Sequence, residues 1–459
     1  MGGSRLMIGI SGVRGVVGEN LTPQLLINLG QAFGTYVEGG RVVVGRDTRP
    51  SGDMVKHAVF AGLLAAGCEI IDVGVCGTPS AALMIPRKNA SGGIVISASH
   101  NPSEWNALKF FREDGVYLNE QQGRQLLDIF YGGDLSSVRY DAIKPVIVDN
   151  GAMANHLEKA LAIVDVPALR KRAFRVALDC CNGAGSDLAL AFLREVGAEA
   201  RTIYCAMDGR FPHPPEPLRE NLSDLCALVK HVGADVGFAQ DADADRVALV
   251  AENGDYVGEE YSLCLAARHV LSHERGGKVV TNLSTTRMIE DVAKRYDADV
   301  VRTAVGEVNV TETMLRLGAV IGGEGNGGVI YPRVHRGRDA LAGMAITLQM
   351  MLETGMTISA LAAEIPPYRM SKQKAHCGKA KALPLLDAME KVGADARAID
   401  RQDGIKFDYP EGWVHVRSSN TEPIVRVYAE ARGQATADAL AGRFLKAAEA
   451  FLARDGAGK

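Results

Sequence analysis

Short apolar strands alternate with helical stretches along most of this 459-residue chain, and polar, often glycine-containing loops follow the strands. Residues 41–45, 94–96 and 175–179 are rich in apolar and β-branched side chains, whereas the segments between such runs are rich in Ala and Leu. Strands separated by helices predict sheets of mainly parallel strands with helices on both faces. The alternation therefore predicts a doubly wound α/β architecture, in which ligands bind beyond the carboxyl ends of the strands.

The chain is too long for one hydrophobic core, and its length alone suggests roughly three or four domains. Three stretches favour boundaries: the loosely composed residues 131–146, the Asn-Gly-Asp turn at residues 253–255, and Pro366-Pro367. We therefore predict domains at residues 1–148, 149–254, 255–367 and 368–459. The first three repeat the strand-and-loop pattern, whereas the fourth looks α+β.

The composition is that of an ordinary soluble protein, with 47% hydrophobic and 23% charged residues. A formal net charge of −4 argues against general binding to nucleic acids or membrane surfaces. The eight cysteines include no C-x-x-C pair, which favours a reducing compartment over a disulfide framework. Residues 1–5 lack a signal-peptide core, and the most apolar long run, residues 340–352, is too short for a bilayer. We expect a soluble cytoplasmic protein without nucleic-acid or membrane partners.

Asp241, Asp243 and Asp245 occupy alternate positions in a loop between two apolar runs, residues 236–239 and 247–250. Two carboxylates about 4 Å apart repel each other by roughly 4 kcal/mol at an effective dielectric constant of about 20. A buried cluster therefore needs a divalent cation or raised pKa values, and hard oxygen ligands suit Mg²⁺. An EF-hand is excluded because arginine stands where its tight turn needs glycine. A solvated acidic loop is the alternative.

Residues 99–102 (Ser-His-Asn-Pro) follow the apolar strand at residues 94–96, in the position where an α/β sheet binds ligands. Ser99 is therefore a candidate for chemistry, and an ordinary loop serine is the alternative. Lys109 follows on a loop-to-strand passage, where it can exchange a proton with a substrate hydroxyl if burial lowers its pKa. Otherwise it is a surface lysine. Arg14 lies on a predicted glycine-flanked loop.

Residues 323–328 (Gly-Glu-Gly-Asn-Gly-Gly) match the dinucleotide pattern G-x-G-x-x-G. That pattern needs a following helix, but residues 329–331 are strand-like, so we discount a dinucleotide site. A glycine-wrapped Glu324 instead suits a polyhydroxyl ligand whose hydroxyl groups donate to its carboxylate. A tight turn between two strands is the alternative.

Residues 417–421 (Arg-Ser-Ser-Asn-Thr), with Arg426 further along the chain, combine cations, hydroxyl groups and backbone N–H groups. These groups together are typical of a phosphate-binding loop. A polar turn with a solvated arginine is the alternative. The chain has no Walker lysine loop, so a nucleoside triphosphate is not the expected ligand.

Taken together and in this order, these loops resemble those of the α-D-phosphohexomutase superfamily over almost the whole chain. The matching motifs are the glycine-arginine loop at 12–15, the serine loop at 99–102, the metal loop at 241–246, the sugar loop at 323–327 and the phosphate loop at 417–423. The resemblance implies three related doubly wound α/β domains and a smaller α+β C-terminal domain around a central cleft. The sugar loop, residues 305–307 and residues 421–428 look most like the archaeal-type branch of phosphoglucosamine mutases and phosphoglucomutases.

The resemblance also assigns roles to residues. It implies that Ser99 is phosphorylated and that one Mg²⁺ per chain is held by the three aspartates and a phosphoserine oxygen. The implied catalytic residues are Ser99, His100, Arg14 and Lys109. The implied substrate-binding residues are Arg246, Gly306, Glu324, Asn326, Arg417, Ser418, Ser419, Asn420, Thr421 and Arg426.

The implied reaction interconverts hexose 6-phosphate and hexose 1-phosphate. Ser99 passes its phosphoryl group to the free hydroxyl of the sugar, and the resulting hexose 1,6-bisphosphate turns over and returns its other phosphate to the serine. Glucosamine phosphate is the expected substrate, with glucose and mannose phosphates next. A phosphatase and a non-catalytic sugar-phosphate binder are the remaining alternatives. The expected assembly is a monomer or a homodimer.

One departure from the family pattern concerns the general base. Many relatives close the sugar loop with serine and histidine, whereas this chain has Asn326 and Gly328 in those places. The sugar loop thus lacks a histidine base, and His335 and Lys109 are both candidates for that role.

Overall fold

The computed structural model describes residues 6–9, 12–419 and 423–454 of the chain. These residues form two compact units. The first unit comprises residues 1–269 and 321–362, and the second comprises residues 270–320 and 363–459.

The first part of the chain builds a seven-stranded mixed sheet with interleaved helices. Its elements are β1 (Met7–Gly9), β2 (Gly12–Val16), α1 (Pro23–Tyr36), β3 (Arg41–Arg46), α2 (Gly52–Ala65), β4 (Glu69–Val75), α3 (Thr78–Arg87), β5 (Gly92–Ile96), β6 (Trp105–Arg112), α4 (Glu120–Gly132) and β7 (Val146–Val148). The strand order is β1-β2-β6-β5-β3-β4-β7. β3 is parallel to β4 and β5, and β4 is parallel to β7, whereas β6 is antiparallel to β2 and β5. This parallel centre confirms the predicted strand-helix alternation.

Helix α1 begins where the sequence predicts. The Thr22 hydroxyl accepts a hydrogen bond from the Leu25 N–H across 3.3 Å, and Pro23 occupies the first turn. Leu26 and Leu29 are completely buried in the core that α1 shares with β3 and β5. The N-cap hydrogen bond and the buried apolar face thus both stabilise this helix.

Strand β2 corrects one expectation, because Arg14 lies on this strand and not on a loop. β2 pairs with β1 on one side and with β6 on the other, where Arg14 lies opposite Ala107. The glycines that flank Arg14 weaken a strand when it stands alone, but ladders on both sides outweigh that cost. The pairing brings Arg14 to the sheet that carries Ser99.

The next segment builds a four-stranded sheet. Its elements are α5 (Ala152–Leu161), α6 (Val166–Arg172), β8 (Arg175–Asp179), α7 (Ser186–Glu195), β9 (Glu199–Ile203), α8 (Ser223–Val232), β10 (Val236–Gln240) and β11 (Val247–Ala251). The order is β11-β10-β8-β9, with β8 parallel to β9 and β10. β10 and β11 form an antiparallel pair whose connecting loop carries the three aspartates.

The following elements are α9 (Glu259–His273), β12 (Lys278–Asn282), α10 (Met288–Lys294), β13 (Asp299–Thr303), α11 (Glu307–Leu317), β14 (Ile321–Glu324), β15 (Gly328–Ile330), α12 (Ala340–Thr354) and α13 (Ile358–Ala363). β12 and β13 are parallel, and β14 and β15 are antiparallel. A strand therefore follows the glycine loop, which confirms the rejection of a dinucleotide motif. The apolar helix α12 is buried from Ala340 to Met351.

The C-terminal elements are β16 (Arg369–His376), α14 (Lys379–Val392), β17 (Ala398–Asp400), β18 (Ile405–Asp408), β19 (Gly412–Ser418), β20 (Ile424–Ala431) and α15 (Gln434–Arg454). Their five strands form an antiparallel sheet in the order β16-β20-β19-β18-β17. Phe407 on β18 and Phe444 on α15 are both completely buried in the core beneath this sheet, with ring centroids 4.9 Å apart. The predicted α+β character of this region is confirmed.

Two further expectations concern the chain as a whole. Among the residues that the structure describes, no helix combines the length and the apolar character needed to cross a membrane. All eight cysteines are free thiols, as their scattered spacing predicts.

Candidate active site

Ser99 lies just beyond the carboxyl end of β5, and only 3% of its surface is exposed. Its φ angle of +50° places it in the left-handed region, which is uncommon for a residue other than glycine. Its Oγ donates a hydrogen bond to Asp241 Oδ2 across 3.0 Å, and His100 Nδ1 lies 3.5 Å from Ser99 Oγ. The structure thus brings the predicted serine into contact with the predicted metal loop.

Arg49, which sequence analysis did not single out, holds the Ser99 loop in place from the loop after β3. Its side chain is completely buried, and its Nε donates to Asp47 Oδ2 across 3.0 Å. Its two terminal nitrogens donate to the backbone carbonyl oxygens of Ser99, Asn101, Pro102 and Trp105. All five N–H groups of the guanidinium are therefore used. The only signal in the sequence is that its loop follows β3, the parallel neighbour of β5.

The three aspartates of the metal loop are all buried, and each has a different set of partners. Asp241 Oδ1 accepts hydrogen bonds from the Asp245 and Arg246 N–H groups across 3.1 and 3.2 Å. Asp243 Oδ2 accepts hydrogen bonds from Lys109 Nζ across 2.6 Å and from the hydroxyl of Thr78. The loop is therefore held by its own backbone and by residues of the seven-stranded sheet and its helices.

The donor set of this loop fits a hard divalent cation. One carboxylate oxygen from each aspartate lies within 4.8 Å of the other two. Asp243 Oδ1 and Asp245 Oδ1 are buried, yet they accept no hydrogen bond from any residue that the structure describes. Buried carboxylate oxygens require a partner, and three such groups at this spacing suit Mg²⁺. The triad is therefore a candidate metal site, and it is fully buried.

The electrostatics of the triad differ from one aspartate to the next. Burial, followed by the charges of Asp245 and Asp243, raises the pKa of Asp241 well above its usual range. Burial also opposes ionisation of Asp243, but Lys109 and the Thr78 hydroxyl outweigh it and hold the pKa of Asp243 below its usual range. Asp241 therefore needs added positive charge in order to ionise.

Lys109 lies on β6 and is buried, which excludes the surface-lysine alternative. Burial alone lowers the pKa of a lysine, but the attraction of Asp243 outweighs it and raises the pKa of Lys109. The condition set for proton exchange, a pKa lowered by burial, is not met because the ammonium lies 2.6 Å from a carboxylate. Lys109 is thus a charged hydrogen-bond donor and not a base in this arrangement.

Two arginines and a histidine lie beside the Ser99 loop. Arg14 Nη1 donates to Asn101 Oδ1 across 2.5 Å. Arg246 Nη2 lies 3.2 Å from His100 Nδ1, and Arg246 Nη1 lies 3.3 Å from Glu216 Oε1. Burial, and then the charges of Arg246 and Arg14, lower the pKa of His100 well below its usual range. The histidine is therefore neutral at neutral pH and surrounded by cations.

The sugar loop is tied to the metal loop through Arg338, another residue that sequence analysis did not single out. Arg338 Nη1 lies 2.9 Å from Glu324 Oε2, and Arg338 Nη2 lies 2.7 Å from Asp245 Oδ2. Asn326 Nδ2 lies 3.5 Å from the same Glu324 oxygen. Glu324, at the end of β14, is 4% exposed. The predicted sugar-binding glutamate and the predicted metal ligand therefore share one guanidinium.

Three helices support the metal loop from within the first unit. Thr78, at the start of α3, receives the Lys109 ammonium across 3.4 Å, and its N–H donates to the Asp243 carbonyl across 2.9 Å. Ser80 on α3 and Asp339 before α12 each lie 2.8 Å from a ring nitrogen of His156 on α5. These three buried side chains join the helices in one polar chain.

His335, one of the two candidate bases, lies close to this polar chain. Its Nδ1 accepts a hydrogen bond from the Gly337 N–H across 3.2 Å. Burial is the main cause that lowers the pKa of His335 to about 4, and Asp339 partly opposes it. A neutral, buried ring with so low a pKa is a weak proton acceptor near neutral pH.

The remaining predicted residues lie in the second unit. Arg417 Nε donates to Asp403 Oδ2 across 2.8 Å, and the same oxygen accepts the Val305 N–H across 3.1 Å. Arg417 on β19 lies directly opposite Arg426 on β20. Like charges at facing strand positions repel, and the Asp403 carboxylate offsets this repulsion by pairing with Arg417. The Ser419 N–H donates to Ile424 O across 2.9 Å.

The other predicted substrate-binding residues that the structure describes in this unit lie at the ends of a helix and a strand. Gly306 caps the start of α11 with φ +132°, a conformation that favours glycine. Ser418 is the last residue of β19. Asn420 and Thr421 lie outside the described residues. Asp403, which links the Gly306 loop to Arg417, was not anticipated from the sequence.

Comparison with protein families gives four consecutive matches. They are phosphoglucomutase/phosphomannomutase alpha/beta/alpha domain I at residues 5–135, domain II at 154–254, domain III at 258–368 and the C-terminal domain at 374–447. The chain belongs to the phosphoglucomutase/phosphomannomutase family. It is therefore an enzyme of the isomerase class, an intramolecular phosphotransferase, as the order of its loops predicts.

Individual relatives extend over nearly the same length. The chain is 38% identical to a probable phosphoglucosamine mutase of Methanopyrus kandleri, covering 95% of this chain and 96% of the relative. It is 39% identical to a phosphoglucomutase/phosphomannomutase of Thermococcus kodakarensis, covering 93% and 95%. A solved family protein from Burkholderia thailandensis superposes with a TM-score of 0.84 at 26% identity, covering 97% of both chains. A putative phosphomannomutase from Thermus thermophilus gives 0.83 at 26%, covering 97% of this chain and 99% of that one.

Proposed function

We propose that this chain interconverts hexose 6-phosphate and hexose 1-phosphate through a phosphorylated Ser99 and a hexose 1,6-bisphosphate intermediate. The observation that carries the proposal is the 3.0 Å hydrogen bond from Ser99 Oγ to Asp241 Oδ2, because it sets a hydroxyl nucleophile against a carboxylate triad. Glucosamine phosphate is the proposed substrate, supported by the name of the Methanopyrus relative. Glucose and mannose phosphates are next, supported by the name of the Thermococcus relative.

The proposed cofactor is one Mg²⁺ per chain, held by Asp241, Asp243, Asp245 and an oxygen of phosphorylated Ser99. The two buried carboxylate oxygens that accept no hydrogen bond from the described residues support this site. When bound, the cation supplies positive charge to the transferring phosphoryl group. The raised pKa of Asp241 is consistent with a site that awaits such charge.

The chain's own residues supply position and further charge. The loose transition state of phosphoryl transfer depends on in-line placement and charge neutralisation more than on covalent help. Ser99 is held rigidly through its loop, and Lys109 and Arg14 present cations beside it. Because Lys109 is charged, its proposed role is to donate a hydrogen bond to the reacting oxygen. His100 and Arg246 are proposed to contact the same phosphoryl group.

The remaining residues are proposed to bind the sugar and its distal phosphate. Glu324 accepts hydrogen bonds from the sugar hydroxyl groups in both orientations of the substrate, and Asn326 lies beside it. The proposed distal-phosphate residues are Gly306, Arg417, Ser418, Ser419, Asn420, Thr421 and Arg426. Arg417 and Arg426 lie at facing positions on β19 and β20, and guanidinium groups are well suited to bind phosphate.

We further propose that the enzyme works in the cytoplasm as a monomer or homodimer. The eight free cysteines are consistent with a reducing compartment.

The experiment that tests the function uses the full-length protein with Mg²⁺ and a catalytic amount of hexose 1,6-bisphosphate. The 1-phosphates of glucosamine, glucose and mannose are supplied side by side, and the 6-phosphates formed are measured. We expect conversion of all three, fastest with glucosamine 1-phosphate, and a loss of conversion in Ser99→Ala. Full mutase activity in Ser99→Ala contradicts the proposal.

The same reactions separate the remaining alternatives. Release of inorganic phosphate that outruns isomer formation indicates a phosphatase. An intact mass that never shows phosphate on Ser99, together with no turnover of any sugar, indicates a non-catalytic binder.

A further inference from the structure

The side chain of Arg338 passes directly over Gly328 on its way to Glu324 and Asp245, and a Cβ atom at position 328 would clash with it. Glu324 and Gly328 lie opposite each other on the antiparallel strands β14 and β15. A Cβ atom added to Gly328 would lie 2.2 Å from Arg338 Cδ and 2.9 Å from its Cγ. Any other residue at position 328 therefore displaces the arginine stem from its path. The absence of a side chain at this position makes room for another residue's side chain.

Two hydrogen bonds fix the backbone directly after Arg338, one to β15 and one to the metal loop. The Asp339 N–H donates to the Val329 carbonyl on β15 across 2.8 Å, and the Ala340 N–H donates to the Ala244 carbonyl in the metal loop across 3.1 Å. Asp339 also caps α12, since its Oδ1 accepts the Leu341 N–H across 2.9 Å. Arg338 thus begins from a rigid point between the sugar loop and the metal loop.

The guanidinium binds two carboxylates whose proposed tasks differ. Its Nη1 and Nη2 lie 2.9 Å from Glu324 Oε2 and 2.7 Å from Asp245 Oδ2, and all three side chains are at least nine-tenths buried. Charge-assisted hydrogen bonds of this length are strong and geometrically specific. One arginine therefore sets the distance between the carboxylate proposed to bind sugar hydroxyl groups and the carboxylate proposed to bind the cation.

We propose that Arg338 is a positioning residue of the mutase reaction, and that Gly328 is glycine so that this arginine can pass. Arg338 acts through Glu324: its hydrogen bond orients the carboxylate, so that the sugar hydroxyl bound there is held at a fixed place beside the metal loop. The inference rests on the proposed function. It also accounts for the missing sugar-loop histidine, since a histidine at position 328 and this arginine cannot occupy the same space.

Two kinds of variant test this role. Arg338→Met removes the guanidinium but keeps most of the stem, and Arg338→Lys restores a cation that lacks the planar fork. We expect Arg338→Met to lower kcat for all three sugar phosphates by about 10- to 100-fold, the effect of losing a charged hydrogen bond. Arg338→Lys is expected to recover part of the loss. A double-mutant cycle of Arg338→Met with Glu324→Gln should show that Arg338→Met costs little further activity once Glu324→Gln is present.

To separate the possible outcomes, Ser99 is first phosphorylated with labelled hexose 1,6-bisphosphate and the phosphoenzyme is purified. The loss of the label is then measured. We expect a chase with sugar monophosphate to remove the label about 10- to 100-fold more slowly from Arg338→Met than from wild type. Hydrolysis of the label in buffer alone is expected to be the same in both, because water does not use Glu324. Equal chase rates overturn the inference. If both the chase and the hydrolysis change together with the unfolding temperature, Arg338 is only structural and the inference is again overturned.

Gly328 provides an independent test. Gly328→Ala should lower activity in the wild-type background, where the new methyl group meets Arg338, and should cost little further activity in Arg338→Ala. Equal costs in both backgrounds contradict the proposed passage. If the wild-type phosphoenzyme is not chased by any sugar phosphate, the proposed function fails, and this result is distinct from a failure of Arg338 alone.

Discussion

Lys109 Nζ lies 2.6 Å from Asp243 Oδ2, and the two side chains are 7% and 0% exposed. This ion pair joins strand β6 of the first sheet to the metal loop. Burial opposes the charge on both partners, so each carries its charge because the other is present. The pair therefore contributes both to the stability of the fold and to the electrostatics of the site.

Substitution of Lys109 should damage stability and catalysis together. Lys109→Met leaves Asp243 buried without its cation, and breaking a buried pair in this way costs about 3–5 kcal/mol of unfolding free energy. Loss of the positive charge is expected to lower mutase activity by about 100-fold or more. Urea unfolding and the coupled sugar-phosphate assay measure the two effects. A variant with near-wild-type turnover contradicts the proposed role.

Lys56 serves as the control for this variant. It pairs with Asp72 across 3.0 Å, and their side chains are 19% and 10% exposed. Lys56→Met removes a pair that has no contact with the proposed site, so we expect some loss of stability with unchanged turnover per folded molecule.

Arg49 should be essential for the placement of Ser99. Arg49→Met leaves the Asp47 carboxylate buried without its cation and releases four carbonyl oxygens of the Ser99 loop. We expect a loss of about 3–5 kcal/mol in unfolding free energy and little phosphorylation of Ser99 by hexose 1,6-bisphosphate. Intact-mass measurement of the phosphoenzyme reports the second effect. The matched control is Arg46→Met, because Arg46 pairs with an Asp53 side chain that is 66% exposed, and such pairs contribute about 1 kcal/mol or less.

The effect of Asp241→Asn on the unfolding free energy should depend on whether Mg²⁺ is present. Without Mg²⁺, the substitution relieves repulsion from Asp243 and Asp245, so we expect unfolding free energy to stay within about 1 kcal/mol of wild type or to rise. Mg²⁺ at 100 times its Kd stabilises a binding protein by about 2.7 kcal/mol, and most of this gain should be missing in the variant. Thermal unfolding in EDTA and in Mg²⁺ measures both. Equal stabilisation of the two proteins by Mg²⁺ excludes Asp241 as a ligand.

Lys406 should make stability depend on pH. It is 4% exposed on β18, and it donates to the Leu283 carbonyl across 2.9 Å. Burial, and then the charge of Arg302, lower the pKa of Lys406 to about 7. A pKa that is lower in the folded than in the unfolded state gives stability that is complete above the unfolded pKa and is lost as pH falls toward the folded one. The unfolding free energy should therefore rise between pH 7 and about 10.

The matching variant is Lys406→Met, which keeps the stem and removes the titrating group. We expect wild type to gain on the order of 2–4 kcal/mol relative to this variant between about pH 7 and 10, measured by urea unfolding. Lys374 on β16 is exposed, so Lys374→Met should follow wild type at every pH. Parallel curves for wild type and Lys406→Met disprove the lowered pKa.

The strands and the motif loops were predictable because their signals are local. An apolar run such as residues 175–179 needs no partner to be recognised, and its bounds in the structure are the same. The contact of Ser99 with Asp241 was also foreseeable in kind, since both follow strands at the edge where α/β sheets bind ligands. Their separation of 142 residues shows how far this rule reaches.

What the sequence could not provide is the direction of individual side chains. Arg49 and Arg338 stand in ordinary polar loops, and their partners are backbone carbonyls or, for Arg338, a carboxylate 93 residues away. The direction of the Lys109 pKa shift could not be predicted for the same reason, because Asp243 lies 134 residues further along the chain. Strong electrostatic effects of this kind depend on distances of a few ångströms, which spacing along the chain does not determine.

The hydrogen bonds that hold the Ser99 backbone constrain the order of events in the proposed reaction. The Ser99 N–H donates to Ser97 Oγ across 3.0 Å, and its carbonyl accepts from Arg49 across 2.7 Å, so the backbone of the proposed phosphoryl carrier is held in place. Both halves of the reaction must then take place at one point in space, with two different sugar oxygens arriving there in turn. All the rotation belongs to the bisphosphate. The site must release this intermediate enough to tumble while keeping it from solvent, and the partition between reorientation and escape sets how often the enzyme needs fresh bisphosphate.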